Sequence, residues 1–242
     1  MKLIVMRHGE CEGLDKNIIN GWADYELTQN GIEEAKKAAK EIESKYGKVN
    51  IDLAYTSYLC RTYDTAKNLL KGFGKICVIN QDIRLNERHY GFFQGMKRQD
   101  AYKYEEYNTL SNSADRLDNR LIPITEELFE LQLEEYSRKL NLDKESLRSA
   151  LPKSESIHDV EKRLNEFLKE KIFIPENIDK TILIVGHANT VKLIVKYIDK
   201  LSFEEVTKLK FATCGMRIYD ISYTENEIIV TGITNINKEW KM

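Results

Sequence analysis

Two short segments of the chain carry side chains suited to phosphate chemistry. Arg7-His8-Gly9-Glu10 puts a cation, an imidazole and a glycine that lets backbone N–H groups approach a ligand into consecutive positions. Gly186-His187-Ala188-Asn189 repeats a histidine in the same kind of setting, ahead of a stretch with helical spacing. A helix starting near Asn189 would aim unsatisfied N–H groups and a positive dipole end at an anion. A third segment, Leu85-Asn86-Glu87-Arg88-His89-Tyr90-Gly91, concentrates acid, base and aromatic groups, and Phe92 and Phe93 follow. Aromatic residues in such a loop would be exposed unless they line a pocket. Arg61 adds a cation just after Thr56-Ser57. Each feature alone also fits an ordinary surface loop or a satisfied core histidine. The recurrence of a histidine in two equivalent settings favours chemistry. A metal site built from His8, His89, His187 and Glu87 is the competing use of these residues. It is disfavoured because Arg7 adjoins His8, Arg88 adjoins His89, and no H-E-x-x-H spacing occurs. No G-x-x-x-x-G-K-[ST] nucleotide loop is present either.

These residues need a scaffold. Leu3 to Met6 and Thr181 to Val185 are short, continuous apolar runs, as in strands buried on both faces, and each leads into one of the two histidines. Thr28 reads as an N-cap, and Ile32, Ala35, Ala39, Ile42 and Tyr46 recur at helical spacing until Gly47. Asp52 to Thr56 reads as a strand, Tyr58 to Leu70 as a helix and Ile76 to Ile79 as a third strand. A polar, helix-prone insertion covers about 97–151, with an amphipathic stretch from Glu126 to Leu140. Ser156 with Asp159, and Ser202 with Glu205, have the spacing of capping boxes. Arg217 to Ser222 and Ile228 to Gly232 are β-rich. Alternating strands and helices predict an α/β fold: a three-layer α/β/α sandwich with a mostly parallel central sheet and a helical insertion over the active site. One domain spanning 1–242 is expected. In such sheets ligands bind outside the carboxyl ends of the strands, where both histidines fall.

Composition narrows the class of partner. The chain has 242 residues, 37 Lys plus Arg against 39 Asp plus Glu, and a net charge of −2. There is no bulk basic field for nucleic acid or a membrane surface, so an anion site must be made locally. Cys11, Cys60, Cys77 and Cys214 form no C-x-x-C pair and read as reduced thiols. The N-terminal apolar run is too short for a signal-peptide core or a membrane span, and a cytoplasmic location is expected.

Taken together, Arg7 to Glu10, Asn20-Gly21-Trp22-Ala23-Asp24, Thr56-Ser57 with Arg61, Leu85 to Gly91, and Gly186 to Asn189 resemble the signatures of the histidine phosphatase superfamily. Leu-Asn-Glu-Arg-His-Tyr-Gly and Gly-Trp-Ala-Asp narrow the resemblance to the branch containing cofactor-dependent phosphoglycerate mutase. The resemblance implies that His8 becomes phosphohistidine, Glu87 exchanges protons with substrate oxygens, and Arg7, Arg61, His187 and Asn189 hold phosphate. It places Asn20, Gly21, Tyr90 and Arg98 among the substrate contacts. It also implies 2,3-bisphosphoglycerate as phosphoryl primer, a small phosphorylated metabolite as substrate and no metal. Relatives in that branch form dimers or tetramers, which leaves a homo-oligomer open. The chemistry is consistent: His8 must be neutral to attack, and Arg7 and Arg61 would lower its pKa. Glu87 needs a pKa raised toward working pH; partial burial would raise it and a close Arg88 would lower it.

The departures fall on the substrate side. Cys11 stands where the mutases usually have a small hydroxyl residue and Leu14 where they have asparagine. Asn20, Arg98 and Ala188 replace threonine or serine, lysine and glycine, and separated Arg116 and Arg120 stand in for a paired Arg-Arg. Loss of one charged contact costs roughly 1.5–3 kcal/mol, about tenfold to a hundredfold in affinity. Three functions therefore remain open: interconversion of 3- and 2-phosphoglycerate, a phosphatase or mutase for another small phosphorylated metabolite, and a catalytically silent phosphate binder. Retention of His8, Glu87 and His187 counts against the last.

Overall fold

The computed structural model describes residues 1–74, 77–112, 117–224 and 227–236. In chain order it forms β1 (Lys2–Arg7), α1 (Glu12–Asp15), α2 (Gln29–Tyr46), β2 (Leu53–Thr56), α3 (Cys60–Gly72), β3 (Ile79–Gln81), α4 (Arg98–Ala101) and α5 (Glu105–Asn112). There follow α6 (Glu126–Leu140), α7 (Lys144–Arg148), α8 (Ile157–Phe167), β4 (Thr181–Gly186), α9 (Ala188–Asp199), α10 (Phe203–Lys208), β5 (Met216–Tyr223) and β6 (Ile228–Ile236). Two compact units result: Met1–Glu12, Asp24–Glu87 and Glu161–Met242 make the first, Gly13–Ala23 and Arg88–Val160 the second. The insertion expected at about 97–151 lies within the second unit, whose bounds are wider.

The first unit is built on a six-stranded sheet of order β3-β2-β4-β1-β5-β6. β3, β2, β4 and β1 run parallel, whereas β5 and β6 are antiparallel. Leu3, Ile4, Val5 and Met6 are all fully buried, so both faces of β1 are covered, as its unbroken apolar run requires. Ile4 and Met6 share a core cluster with Ala35, Ala39 and Ile42 of α2 and Ala66 and Leu69 of α3. Alternation along the strand puts Leu3 and Val5 on the opposite face, and α9 packs on β1 and β4 with Val191, Ile194 and Val195 buried. The result is three layers, α/β/α. Each fully buried aliphatic side chain contributes on the order of 1.5–3 kcal/mol.

Local signals account for the helix ends. The Thr28 hydroxyl accepts from Gly31 N, and Gly47, at φ +72°, ends α2 by donating to Glu43 O. Ser202 Oγ accepts from Glu205 N while the Glu205 carboxylate accepts from Ser202 N, a reciprocal cap for α10. The third strand lies at Ile79–Gln81 instead of the expected Ile76–Ile79; Ile76 is outside the described residues. An edge strand has only one ladder to fix its register, and here only three residues of β3 pair with β2. The last strand is longer than expected, reaching Ile236 because β5 pairs along its length. Cys11, Cys60, Cys77 and Cys214 form no disulfide.

The second unit is mainly helical. Thr125 caps α6, which buries Phe129, Leu133 and Tyr136, and Asn141 ends it in the left-handed conformation at φ 54°. The Trp22 ring lies 5.3 Å from His89 and 5.2 Å from Tyr136. A smaller core joins Ile19, Phe93, Ala101, Tyr107 and Leu121.

Candidate active site

β1 and β4 are paired in parallel register with Arg7 opposite Gly186, so the next residues on both strands, His8 and His187, emerge side by side. His8 N donates to Gly186 O at 3.0 Å, and the two imidazoles are 5.2 Å apart, edge to face. The loop after β1 is pinned to helices on one side of the sheet. Gly9 N donates to Thr65 Oγ1 at 3.0 Å, the Thr65 hydroxyl donates to Arg61 O at 2.6 Å, and Glu10 N donates to Glu34 Oε2 at 2.9 Å. Gly31 is required there: a Cβ at that position would overlap Glu10 O.

His8 Nδ1 lies 2.7 Å from Gly9 O. A carbonyl only accepts, so the neutral ring carries its proton on Nδ1 and presents a lone pair at Nε2. Burial, then the charges of Arg61 and Arg7, hold the His8 pKa well below its ordinary value; the Gly9 contact pulls weakly the other way. Arg61, at the start of α3, is completely buried. Burial lowers its pKa, and the nearby Cys11, Glu87 and Asp24 act in the opposite direction; a guanidinium remains charged in such a setting. The Arg7 guanidinium is anchored by donating from Nη1 to Phe211 O at 2.6 Å.

His187 immediately precedes α9, which starts at Ala188, one residue earlier than the expected Asn189. Its pKa is lowered by burial first, then by Arg61, His8, Arg163 and Arg7. Glu87 is buried, and its Oε2 accepts from Asn189 N at 3.3 Å, on the first turn of α9. Arg163 of α8, which the sequence offers only as one more charged position on a helix, donates to Arg84 O at 2.5 Å and to Glu87 O at 2.9 Å. It fixes the backbone that carries Glu87. The first unit thus gathers Arg7, His8, Arg61, Glu87, His187 and Asn189. Among the described residues, no group of three or more His, Cys, Asp or Glu is placed to hold a metal ion.

The other expected contacts lie in the second unit. Asn20 is buried. Gly21 has φ +51°, and a Cβ there would overlap the Gln94 side chain. Tyr90 lies under the Arg88 guanidinium, 5.4 Å from its ring centre. Arg88 also donates to Glu155 O at 2.8 Å. Arg98 opens α4 beside the Tyr107 phenol. Phe92 lines a cavity of about 230 Å³ with Trp22, Leu128, Leu131 and Tyr136. Of the separated arginines, Arg120 is paired with Asp159 at 2.7 Å, and Arg116 lies outside the described residues.

The chain resembles known proteins over most of its length. Residues 3–120 and 113–234 match the profile of the Histidine phosphatase superfamily (branch 1). A 2,3-bisphosphoglycerate-dependent phosphoglycerate mutase of Staphylococcus epidermidis is 34% identical over 223 residues, covering 91% of this chain and 94% of the relative. A protein of the same description from Corynebacterium kroppenstedtii is 31% identical over 242 residues, covering 98% and 92%. Among solved structures, a phosphoserine phosphatase from Entamoeba histolytica in complex with 3-phosphoglyceric acid superposes with a TM-score of 0.65 at 21% identity, covering 98% of both chains. A mycobacterial glucosyl-3-phosphoglycerate phosphatase gives a TM-score of 0.62 at 22% identity, covering 91% and 92%. The protein is an enzyme of the phosphotransferase type. It belongs to the histidine phosphatase superfamily, branch 1. Among the described residues, no helix is long and apolar enough to cross a membrane.

Proposed function

We propose that this enzyme interconverts 3-phosphoglycerate and 2-phosphoglycerate through a phosphohistidine at His8, primed by 2,3-bisphosphoglycerate. The observation that carries the chemistry is the state of His8: its Nδ1 proton is committed to Gly9 O, leaving Nε2 as a buried lone pair beside two guanidinium groups. The choice of substrate is supported by the 31–34% identity to phosphoglycerate mutases over almost the whole chain.

His8 Nε2 attacks the phosphorus, and the bond to the substrate oxygen breaks. Because Nδ1 keeps its proton throughout, phosphohistidine forms without a proton leaving the ring. Glu87 protonates the departing oxygen and takes a proton back from the hydroxyl that receives the phosphoryl group in the second half-reaction. Arg7 and Arg61 neutralise charge on the equatorial oxygens, which is where a loose phosphoryl-transfer transition state needs it. The buried cationic cluster and the backbone N–H groups at the start of α9 fit one phosphoryl group of a bisphosphate. When bound, the bisphosphate supplies the phosphoryl group that charges His8.

A second reading, hydrolysis of another phosphorylated small metabolite with water as acceptor, is favoured by Leu14, whose apolar side chain cannot donate to phosphate as the mutases' asparagine does. One experiment addresses both. 2,3-Bisphosphoglycerate should label the protein with acid-labile, base-stable phosphate, and His8→Ala should abolish the label; failure to label overturns the mutase reading. With 3-phosphoglycerate and trace bisphosphate, 2-phosphoglycerate should exceed free phosphate. Vigorous phosphate release without isomer would establish the second reading.

A further inference from the structure

Behind His187 lies a chain of buried hydroxyls whose proton order is fixed by its geometry. Ser57, at the end of β2, and Thr62, on the first turn of α3, are both fully buried, as is His187. Ser57 Oγ is 2.7 Å from Thr62 Oγ1, 2.9 Å from His187 Nε2 and 3.1 Å from Leu59 N. Thr62 Oγ1 is in turn 2.9 Å from Leu59 O. Only one arrangement puts a hydrogen into each of these four contacts. Leu59 O is a pure acceptor, so the Thr62 hydroxyl donates to it. The Ser57 hydroxyl then donates to Thr62 Oγ1. Its two lone pairs accept from Leu59 N–H and from His187, which requires the hydrogen to be on Nε2. The reverse order would leave Thr62 Oγ1 facing Leu59 O with no hydrogen between them.

We propose that Ser57 and Thr62 are positioning residues that hold neutral His187 as its Nε2–H tautomer, so that its Nδ1 donates to a phosphoryl oxygen only after the ring has taken up a proton. His187 Nδ1 is buried and makes no full hydrogen bond among the described residues, although the Thr190 N–H on the first turn of α9 approaches the ring as a helix cap, which itself calls for a lone pair on that nitrogen in the free enzyme. In the free enzyme a bare lone pair at that position costs less than an orphaned N–H would. The charged and titratable groups around the ring are Arg7 and His8 from the end of β1, Arg61 from α3 and Arg163 from α8; Glu87 lies at the first turn of α9. Burial first, and then the cations, keep the free ring neutral, and the charge of an arriving phosphate opposes both. Phosphate binding is thereby coupled to one proton, drawn from solvent when the phosphate is dianionic. This deepens the phosphohistidine reading of the site and rests on it for the identity of the anion.

The chain has four histidines, so long-range ¹H–¹⁵N correlation spectra resolve each ring, and loss of one pattern in His187→Asn assigns His187. In the free wild-type protein His187 should show the Nε2–H pattern, and saturation with orthophosphate should convert it to imidazolium. In Thr62→Val the Ser57 hydroxyl loses its acceptor and turns to His187 Nε2, so the free ring should reverse to Nδ1–H. Above the second ionisation of orthophosphate, the wild-type Kd should rise about tenfold per pH unit, as uptake of one proton demands, and the Thr62→Val Kd should stay nearly flat. An Nδ1–H pattern in the free wild-type protein, or an unchanged Nε2–H pattern in Thr62→Val, would overturn the assignment. If orthophosphate fails to bind, the phosphate-site reading and the proton coupling fall together, whereas the free-ring spectra still judge the hydroxyl chain by itself.

Discussion

At His8, burial and two arginines act in the same direction, and their combined effect is measurable. Because the ring's pKa lies well below the ordinary histidine value of ~6.5, the imidazole stays neutral in mildly acid solution. At saturating 2,3-bisphosphoglycerate, the rate of phosphate labelling of His8 should therefore be nearly constant from about pH 8 to pH 6, with its acid limb below the ordinary histidine range. Rapid-quench labelling across that range is the check; a limb centred at pH 6.5 or higher would mean the arginines do not depress the ring. The identities of His8, His187, Arg7, Arg61 and Glu87 were legible in the sequence because their motifs are short and local. Arg163, Thr65 and Glu34 were not, because each acts on backbone atoms distant in the chain and carries no local signature.

At the scale of elements, the site depends on how closely α2 approaches the loop after β1. Gly31→Ala forces a methyl group into Glu10 O, a backbone atom that cannot swing aside. The expected cost is about 1–3 kcal/mol in urea unfolding. Turnover should fall as well, since a displacement of about 1 Å near reacting groups can cost a hundredfold. Wild-type stability and activity in this variant would show that the loop is not held by this contact. On the other side, Arg163→Met removes two charge-assisted bonds to the backbone around Glu87. We expect kcat to drop by about tenfold or more with KM little changed, and Arg163→Lys to restore part of the loss; steady-state kinetics on the three proteins decide it. Helices were read closely where caps and apolar spacing agree, as in Thr28 to Gly47 and Glu126 to Leu140. The third strand was misplaced because a short edge segment carries little periodicity.

For the whole molecule, the two buried imidazoles link stability to pH. Both His8 and His187 have native pKa values well below the unfolded value of ~6.5. Below that pH the unfolded chain binds protons that the native state does not. Their contribution is therefore complete above pH 6.5 and is lost as pH falls toward the native values, at up to about 1.4 kcal/mol per unit for each ring. Urea midpoints at pH 7.5, 6.5 and 5.5 should fall more steeply for wild type than for a His8→Asn/His187→Asn double variant; parallel slopes would refute the linkage. The chain by itself determined the α/β alternation, the strand-end histidines and the phosphate chemistry, because apolar runs, caps and short motifs are encoded by neighbouring residues. Only the tertiary structure decided the rest. The parallel register of β1 and β4 sets the 5.2 Å between the imidazoles, and burial lowers their pKa values. The contact that sets the His187 tautomer joins it to Ser57, far away in sequence, so no local pattern could have specified it, whereas His8 takes its tautomer from the carbonyl of the next residue.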